Sequence, residues 1–286
     1  MDAFLKKIDC AIKKIEDQIG RFQCLTGNTL KMIAVITMLI DHLCTIVLQW
    51  LLGNYWAPMI QAGTLTWEQF RRIDYFIRFD LQGVGTIAFP LFCFLLTEGF
   101  QYTKNRKRYI GIMLAFAIIS ELPFDIGFFA DYSIQEGTFP FYWNYQNVFF
   151  TLFLSLVSLA GIEFFSTNSG IRTDRIKAAF LQIISVAVIA GIAEIICCDY
   201  GFMGIFFVAA FYVCRKSRVC QILLFLLVYI LTTGNQPTGF VLFACMMILL
   251  YNGKRGKLKL KYLVYAFYPV HISLLYFTTI ILERVI

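Results

Sequence analysis

Charge is scarce in these 286 residues and histidine scarcer still: 15% of the chain is Asp, Glu, Lys or Arg, with two histidines and six prolines. No Cys-x-x-Cys pair and no His-Glu-x-x-His stretch is present, so no metal site is expected. The nine cysteines stand singly apart from Cys197 and Cys198. Cys44, Cys93 and Cys245 lie inside apolar runs as small core residues, which points to reduced thiols rather than a disulfide framework. Residues 1–28 are polar, basic and amphipathic and lack a small-residue cleavage site, so the first apolar run is expected to stay in the mature protein. What is abundant is apolar surface. The chain is 59% hydrophobic with a mean hydropathy of +0.70, and 30 of its residues are Phe. That composition excludes an ordinary soluble domain and predicts a polytopic membrane protein.

Cutting the chain at its polar interruptions predicts an all-α bundle of about nine (eight to ten) transmembrane helices. Six runs reach the roughly 20 residues needed to cross a ~30 Å hydrocarbon core: 30–52, 81–102, 109–130, 146–166, 178–198 and 262–282. Three thinner runs follow at 201–214, 219–233 and 238–252. Nine crossings place the segments 1–29, 103–108, 167–177, 215–218 and 253–261 on one side. With Lys31 these hold all of the 25 Lys and Arg except Arg71, Arg72, Arg78 and Arg284. The positive-inside rule then puts the N-terminus in the cytoplasm and the C-terminus outside a multi-pass plasma-membrane protein. The net charge of +7 follows from that topology, and nucleic-acid binding has no separate support. Residues 1–28 read as a cytoplasmic segment and 29–286 as the transmembrane domain. Phe4, Leu5, Ile8, Ala11, Ile12, Ile15 and Ile19 fall at helical spacing, predicting a helix over 3–23 that lies on the inner leaflet or packs on the bundle. Residues 53–80 read as the sizeable outer loop, with Trp56, Trp67, Tyr75 and Phe79 as an aromatic belt or a cap.

The ionisable residues inside the spans carry the functional argument. At ~1.5 Å per residue, His42 lies ~18 Å in from Leu30 and His271 ~14 Å in from Tyr262, so both histidines reach mid-membrane. Asp41 adjoins His42. Glu121 and Asp125 flank Pro123, and Pro269 precedes His271, which reads as two broken helices beside ionisable groups. Glu98 sits near the cytoplasmic end of its span. Intramembrane charge is a functional signal, and together these residues predict a shared polar cavity. Histidine suits proton abstraction near neutral pH. A carboxylate could orient its ring, but adjacent helical residues point ~100° apart, so Asp41, Glu121, Asp125 and His271 all remain candidates to serve His42. A transporter or channel with a midplane polar site is the competing class.

Six segments in order, "LKMIAVITMLIDHLC", "AFPLFCFLLTEGFQYTKNRKRY", "AIISELPFDIGFF", "QNVFFTLFLSL", "CDYGFMGIFF" and "YAFYPVHISLLY", resemble the TraX family of conjugal-transfer F-pilin acetylases. The resemblance runs from about residue 29 to 276. It implies a transmembrane acyltransferase that uses cytoplasmic acetyl-CoA or another acyl-CoA, with His42 as the catalytic first-span histidine and Glu98, Glu121, Asp125, Asn147 and His271 in motif positions. Where family members often carry Gly-Arg, this chain has Gly85-Thr86, leaving Arg78, two turns earlier, as the stand-in. Acyl transfer needs a base, an oxyanion donor and a site for the CoA phosphates. His42 is expected as the base, with Asn147, Thr151 or a protonated His271 as the donor. Lys31, Lys104, Asn105, Arg106, Lys107 and Arg108 are expected around the donor's phosphates, with Glu98 beside them in the cofactor-binding set, and Asn147 and Arg78 near substrate. The acceptor classes are a peptide N-terminus, an amino sugar or an envelope polymer.

Overall fold

The computed structural model describes residues 2–167 and 174–285, leaving aside the side chains of residues 2–6, 8 and 261. Most of the expected 167–177 connection, and the Phe4, Leu5 and Ile8 side chains of the N-terminal stripe, lie outside what it describes. Among the described residues every regular element is helical. In chain order these are α1 (Asp2–Gly20), α2 (Gly27–Gln61), α3 (Trp67–Tyr102), α4 (Arg106–Glu136), α5 (Val148–Thr167), α6 (Arg175–Ile195), α7 (Gly201–Val213), α8 (Arg218–Thr233), α9 (Gly239–Leu249) and α10 (Lys261–Val285). Six of them, α2 to α6 and α10, are long and apolar enough to cross a membrane. Helices α7, α8 and α9 are equally apolar but have 13, 16 and 11 residues.

The chain forms two compact units, one of Met1–Leu30, Pro90–Ala117 and Asn144–Lys257, the other of Lys31–Phe89, Ile118–Trp143 and Leu258–Ile286. In the first unit α5, α6 and α7 pack on one another, and α8 packs on α7, α9 and α1. Its core includes Leu154, Ala190, Ala193 and Ile205, with Phe150, Phe153 and Phe206 against them. The small Ala190 and Ala193 let α6 approach its neighbours closely, the usual means of helix association where lipid is as apolar as the interface. Helix α1 turns Ile12, Glu16 and Ile19 inward. The Glu16 carboxylate accepts from Ser217 Oγ at 2.6 Å and from the Val219 N–H at 3.3 Å, at the start of α8. Ile15 stays exposed on its other side, and Phe22 is exposed just beyond its end.

In the second unit Cys44, Leu52 and Ile77 form a buried cluster with Ile40, Leu48, Trp56, Phe70, Ile73 and Leu81. Residues 53–80, read above as a loop, are instead helical on both sides of a short turn. Thr66 and Gln69 cap the start of α3 reciprocally, and Glu68–Arg72 and Asp74–Arg78 pair at i, i+4 along it. The helices are also not broken at their prolines: α4 runs through Pro123 and α10 through Pro269, and the non-helical residue of α4 is Phe129 (φ −130°, ψ 18°). Two π-helical stretches interrupt α2 (Leu43–Leu48 and Leu52–Trp56), and one interrupts α3 (Phe76–Leu81).

Candidate functional site

The first π-helical stretch begins directly after His42, a placement common at functional positions. His42, half-buried, and His271, 3% exposed, meet with Nδ1 of His42 2.6 Å from Nε2 of His271. The rings are nearly parallel, with centroids 4.8 Å apart. Phe128 and Tyr268 stand edge-on to His42 at 5.1 and 5.6 Å, and Phe267 stacks on His271 at 4.6 Å. Gly127 permits this closeness. A Cβ there would come within 2.5 Å of Ile272 Cγ2 and 3.6 Å of Ile46 Cδ1, so α2, α4 and α10 converge on a residue without a side chain.

The hydrogen bonds fix the tautomers. His271 Nδ1 lies 2.7 Å from the carbonyl oxygen of Phe267. That oxygen can only accept, so Nδ1 carries the proton and, with the ring neutral, Nε2 is an acceptor. His42 must then donate from Nδ1. Its lone pair is left on Nε2, which makes no hydrogen bond among the described residues.

The expected carboxylates are placed differently. Asp41 packs against the backbone at Gly85, where an added Cβ would fall 2.7 Å from its Cγ. Its carboxylate has no hydrogen-bond or ion-pair partner among the described residues. Asp125 is 1% exposed and accepts from the Tyr142 N–H at 3.1 Å, tying the 138–143 segment to α4, where Phe129 stacks on Tyr142. Glu121 is half-buried one turn earlier on α4. The ring partner of His42 is therefore the other histidine and not a carboxylate. Beyond Asp41 a polar chain joins α2 to α3, unforeseen from the sequence although Asp41, Thr45 and Gln49 recur every four residues. Thr45 donates to the Asp41 carbonyl (3.0 Å), Gln82 to Thr45 (3.1 Å) and Gln49 to Gln82 (3.4 Å).

The other expected residues divide between exposed and committed side chains. Arg78 is held by Asp74 at 2.6 Å. Lys31 is half-buried and opens the second unit's part of α2. In the first unit Lys104, Lys107 and Arg108 are exposed, and Asn105 caps α4 by accepting from the Arg108 N–H at 2.9 Å. Arg106 lies over Phe100 and pairs with Glu163. Glu98 is buried beside Arg218 and Tyr251, two residues the sequence reading did not single out. The three expected oxyanion donors are each engaged elsewhere. Asn147 is fully buried, donates to the Ala117 carbonyl (2.8 Å) and accepts from the Phe149 N–H (2.9 Å). Thr151 donates to the Asp199 carbonyl, and both nitrogens of His271 are taken. Tyr145 donates to Asp199 at 3.1 Å, and burial, reinforced by that carboxylate, raises its phenol above the ordinary range.

The family model described as "TraX protein" matches residues 26–279. The chain belongs to the TraX family. This TraX-family chain is also similar to the probable fimbrial assembly protein FimC, serogroup H1, of Dichelobacter nodosus. The two are 29% identical over 263 residues, covering 86% of this chain and 92% of the relative. No solved structure matches it. The family match opens at residue 26, so α1 precedes it.

Proposed function

We propose that this TraX-family protein is a membrane acyltransferase in which His42 Nε2 is the general base. It acetylates an amine, or a hydroxyl, of a peptide, amino-sugar or envelope acceptor at the expense of acetyl-CoA or another acyl-CoA. The observation that carries the reading is the His42–His271 pair, whose hydrogen bonds leave one nitrogen lone pair unengaged within apolar helices. The attacking nitrogen or oxygen forms its bond to the thioester carbonyl as Nε2 takes its proton. The positive charge gained by His42 is stabilised through Nδ1–H donated to His271. On collapse the carbon–sulfur bond breaks and the thiolate of CoA receives the proton. No metal takes part in this scheme. Residues 29–286 form the transferase domain, which crosses the plasma membrane nine times from a cytoplasmic N-terminus, α7 to α9 included. We assign to Asp41, beside His42, the holding of a cationic amine, since a carboxylate in a span is costly without a partner.

The test uses membranes containing the full-length protein and labelled acetyl-CoA. His42→Ala is expected to abolish label transfer while the purified variant keeps its elution volume and helix content. Wild-type transfer by His42→Ala would sink the proposal. Absence of any acyl-CoA-dependent stabilisation of the wild type would favour the transporter reading.

A further inference from the structure

The first unit has a polar cluster of its own, at the ends of α3, α8 and α9. Arg218 opens α8 one residue after the Ser217 cap. Its guanidinium lies over the rings of Phe94 (4.5 Å) and Tyr251 (5.1 Å), and Nη1 donates to Gln221 Oε1 at 2.9 Å. Gln221 is itself fixed by donating to the Phe211 carbonyl at 2.6 Å. The counter-charge is Glu98, 8% exposed, with Tyr251 beside it.

The ion pair is open. Glu98 Oε1 stands 3.7 Å from Arg218 Nη1, beyond hydrogen-bond length, and Glu98 Oε2 is buried without a hydrogen-bond partner among the described residues. A purely structural pair in so buried a place is expected to close to about 2.8 Å, because only good geometry offsets the desolvation of both charges. The cluster thus offers an Arg held by two rings and an amide, a carboxylate with an unused oxygen, and partial access, the two side chains being 20% and 11% exposed.

Its charges already cancel, so a phosphate would meet Glu98 as a like charge and is disfavoured. What fits is an uncharged group that accepts and donates at once. A secondary amide does both, its carbonyl taking a guanidinium N–H and its N–H facing the carboxylate. We propose that Glu98 and Arg218 form an amide clamp for the pantetheine arm of the acyl donor, which carries two such amides. The clamp rests on the donor assignment made above.

The experiment titrates purified full-length protein with CoA, pantetheine and adenosine 3′,5′-bisphosphate. Arg218→Lys keeps the charge and removes the planar fork. Glu98→Met with Arg218→Met removes both charges together, so that neither is left buried alone. Both variants are expected to bind CoA and pantetheine about tenfold more weakly, the scale of one lost hydrogen-bonded pair, and to bind the nucleotide fragment as the wild type does. Unchanged pantetheine affinity in the folded variants overturns the clamp, as does a wild type that does not bind pantetheine, or a loss confined to the nucleotide fragment. The two readings separate cleanly. Arg218-dependent pantetheine binding without His42-dependent transfer leaves the clamp standing and removes the transferase mechanism, and the reverse pattern does the opposite.

Discussion

Opposite a carbonyl oxygen, His271 Nδ1 can only donate, and that constraint sets the chemistry of the pair. It makes His271 an acceptor toward His42 and a neutral analogue of the carboxylate that orients a catalytic histidine elsewhere. Its replacement is therefore graded. His271→Leu is expected to lower single-turnover acetyl transfer by about 10²-fold or more, the usual scale of a base that is no longer positioned. His271→Gln retains a side-chain oxygen that can accept from His42 Nδ1 and is expected to lose clearly less. Equal losses in the two variants, measured at matched protein stability, would show that the acceptor at this position does not matter. Both histidines were legible in the sequence from their depth in apolar runs. Their partnership was one of four left open, because they lie 229 residues apart and helical periodicity alone does not choose among Asp41, Glu121, Asp125 and His271. On a helix adjacent side chains diverge, and Asp41 turns to Gly85.

The helices show where pattern reading stopped. Proline and charge were both read as interruptions, yet α4 and α10 continue through Pro123 and Pro269, and α2 and α3 extend well into 53–80. In an apolar surround a backbone that leaves the helix strands its polar groups, so continuing past a proline is the cheaper solution. The charged stretch was in fact an amphipathic helix announced by the Thr66 to Gln69 capping box, a signal that polarity alone concealed. The glycine at 127 was equally unreadable, since only the packed structure shows Ile272 lying against it. Gly127→Val is expected to destabilise the protein by about 1–3 kcal/mol through overpacking. It should also lower transfer, because Phe128 and His271 flank the contact. Shortening the partner in the same chain, Gly127→Val with Ile272→Ala, should restore part of both. Thermal unfolding and transfer assays on the two single variants and the double one measure this, and strict additivity would mean the two side chains do not meet.

For the whole molecule the open quantity is how many times the chain crosses the bilayer. The six long runs were legible because about 20 apolar residues can hardly do anything else. The 201–252 region was not, because at ~1.5 Å per residue the 11 residues of α9 reach only about 17 Å, short of the ~30 Å core without thinning or irregular ends. Charge gives an expectation where length gives none. By the positive-inside rule the basic residues at 215–218 and 253–261 are expected on one side with those at 103–108, an arrangement that follows if α7, α8 and α9 each cross. Parity makes the choice observable. Nine crossings leave the two termini on opposite faces, whereas six return the C-terminus to the side of the N-terminus. Cys24 and Cys197 are both exposed, so variants retaining one of them and no other cysteine report two faces directly. In intact cells a membrane-impermeant maleimide should label Cys197 and leave Cys24 unlabelled until the membrane is opened. A third variant, Glu283→Cys in a background without other cysteines, places the probe at the exposed end of α10. It should label from outside. Protection of that site, with Cys197 still labelled, would mean that an even number of crossings separates the ends and that α7 to α9 do not all span the membrane.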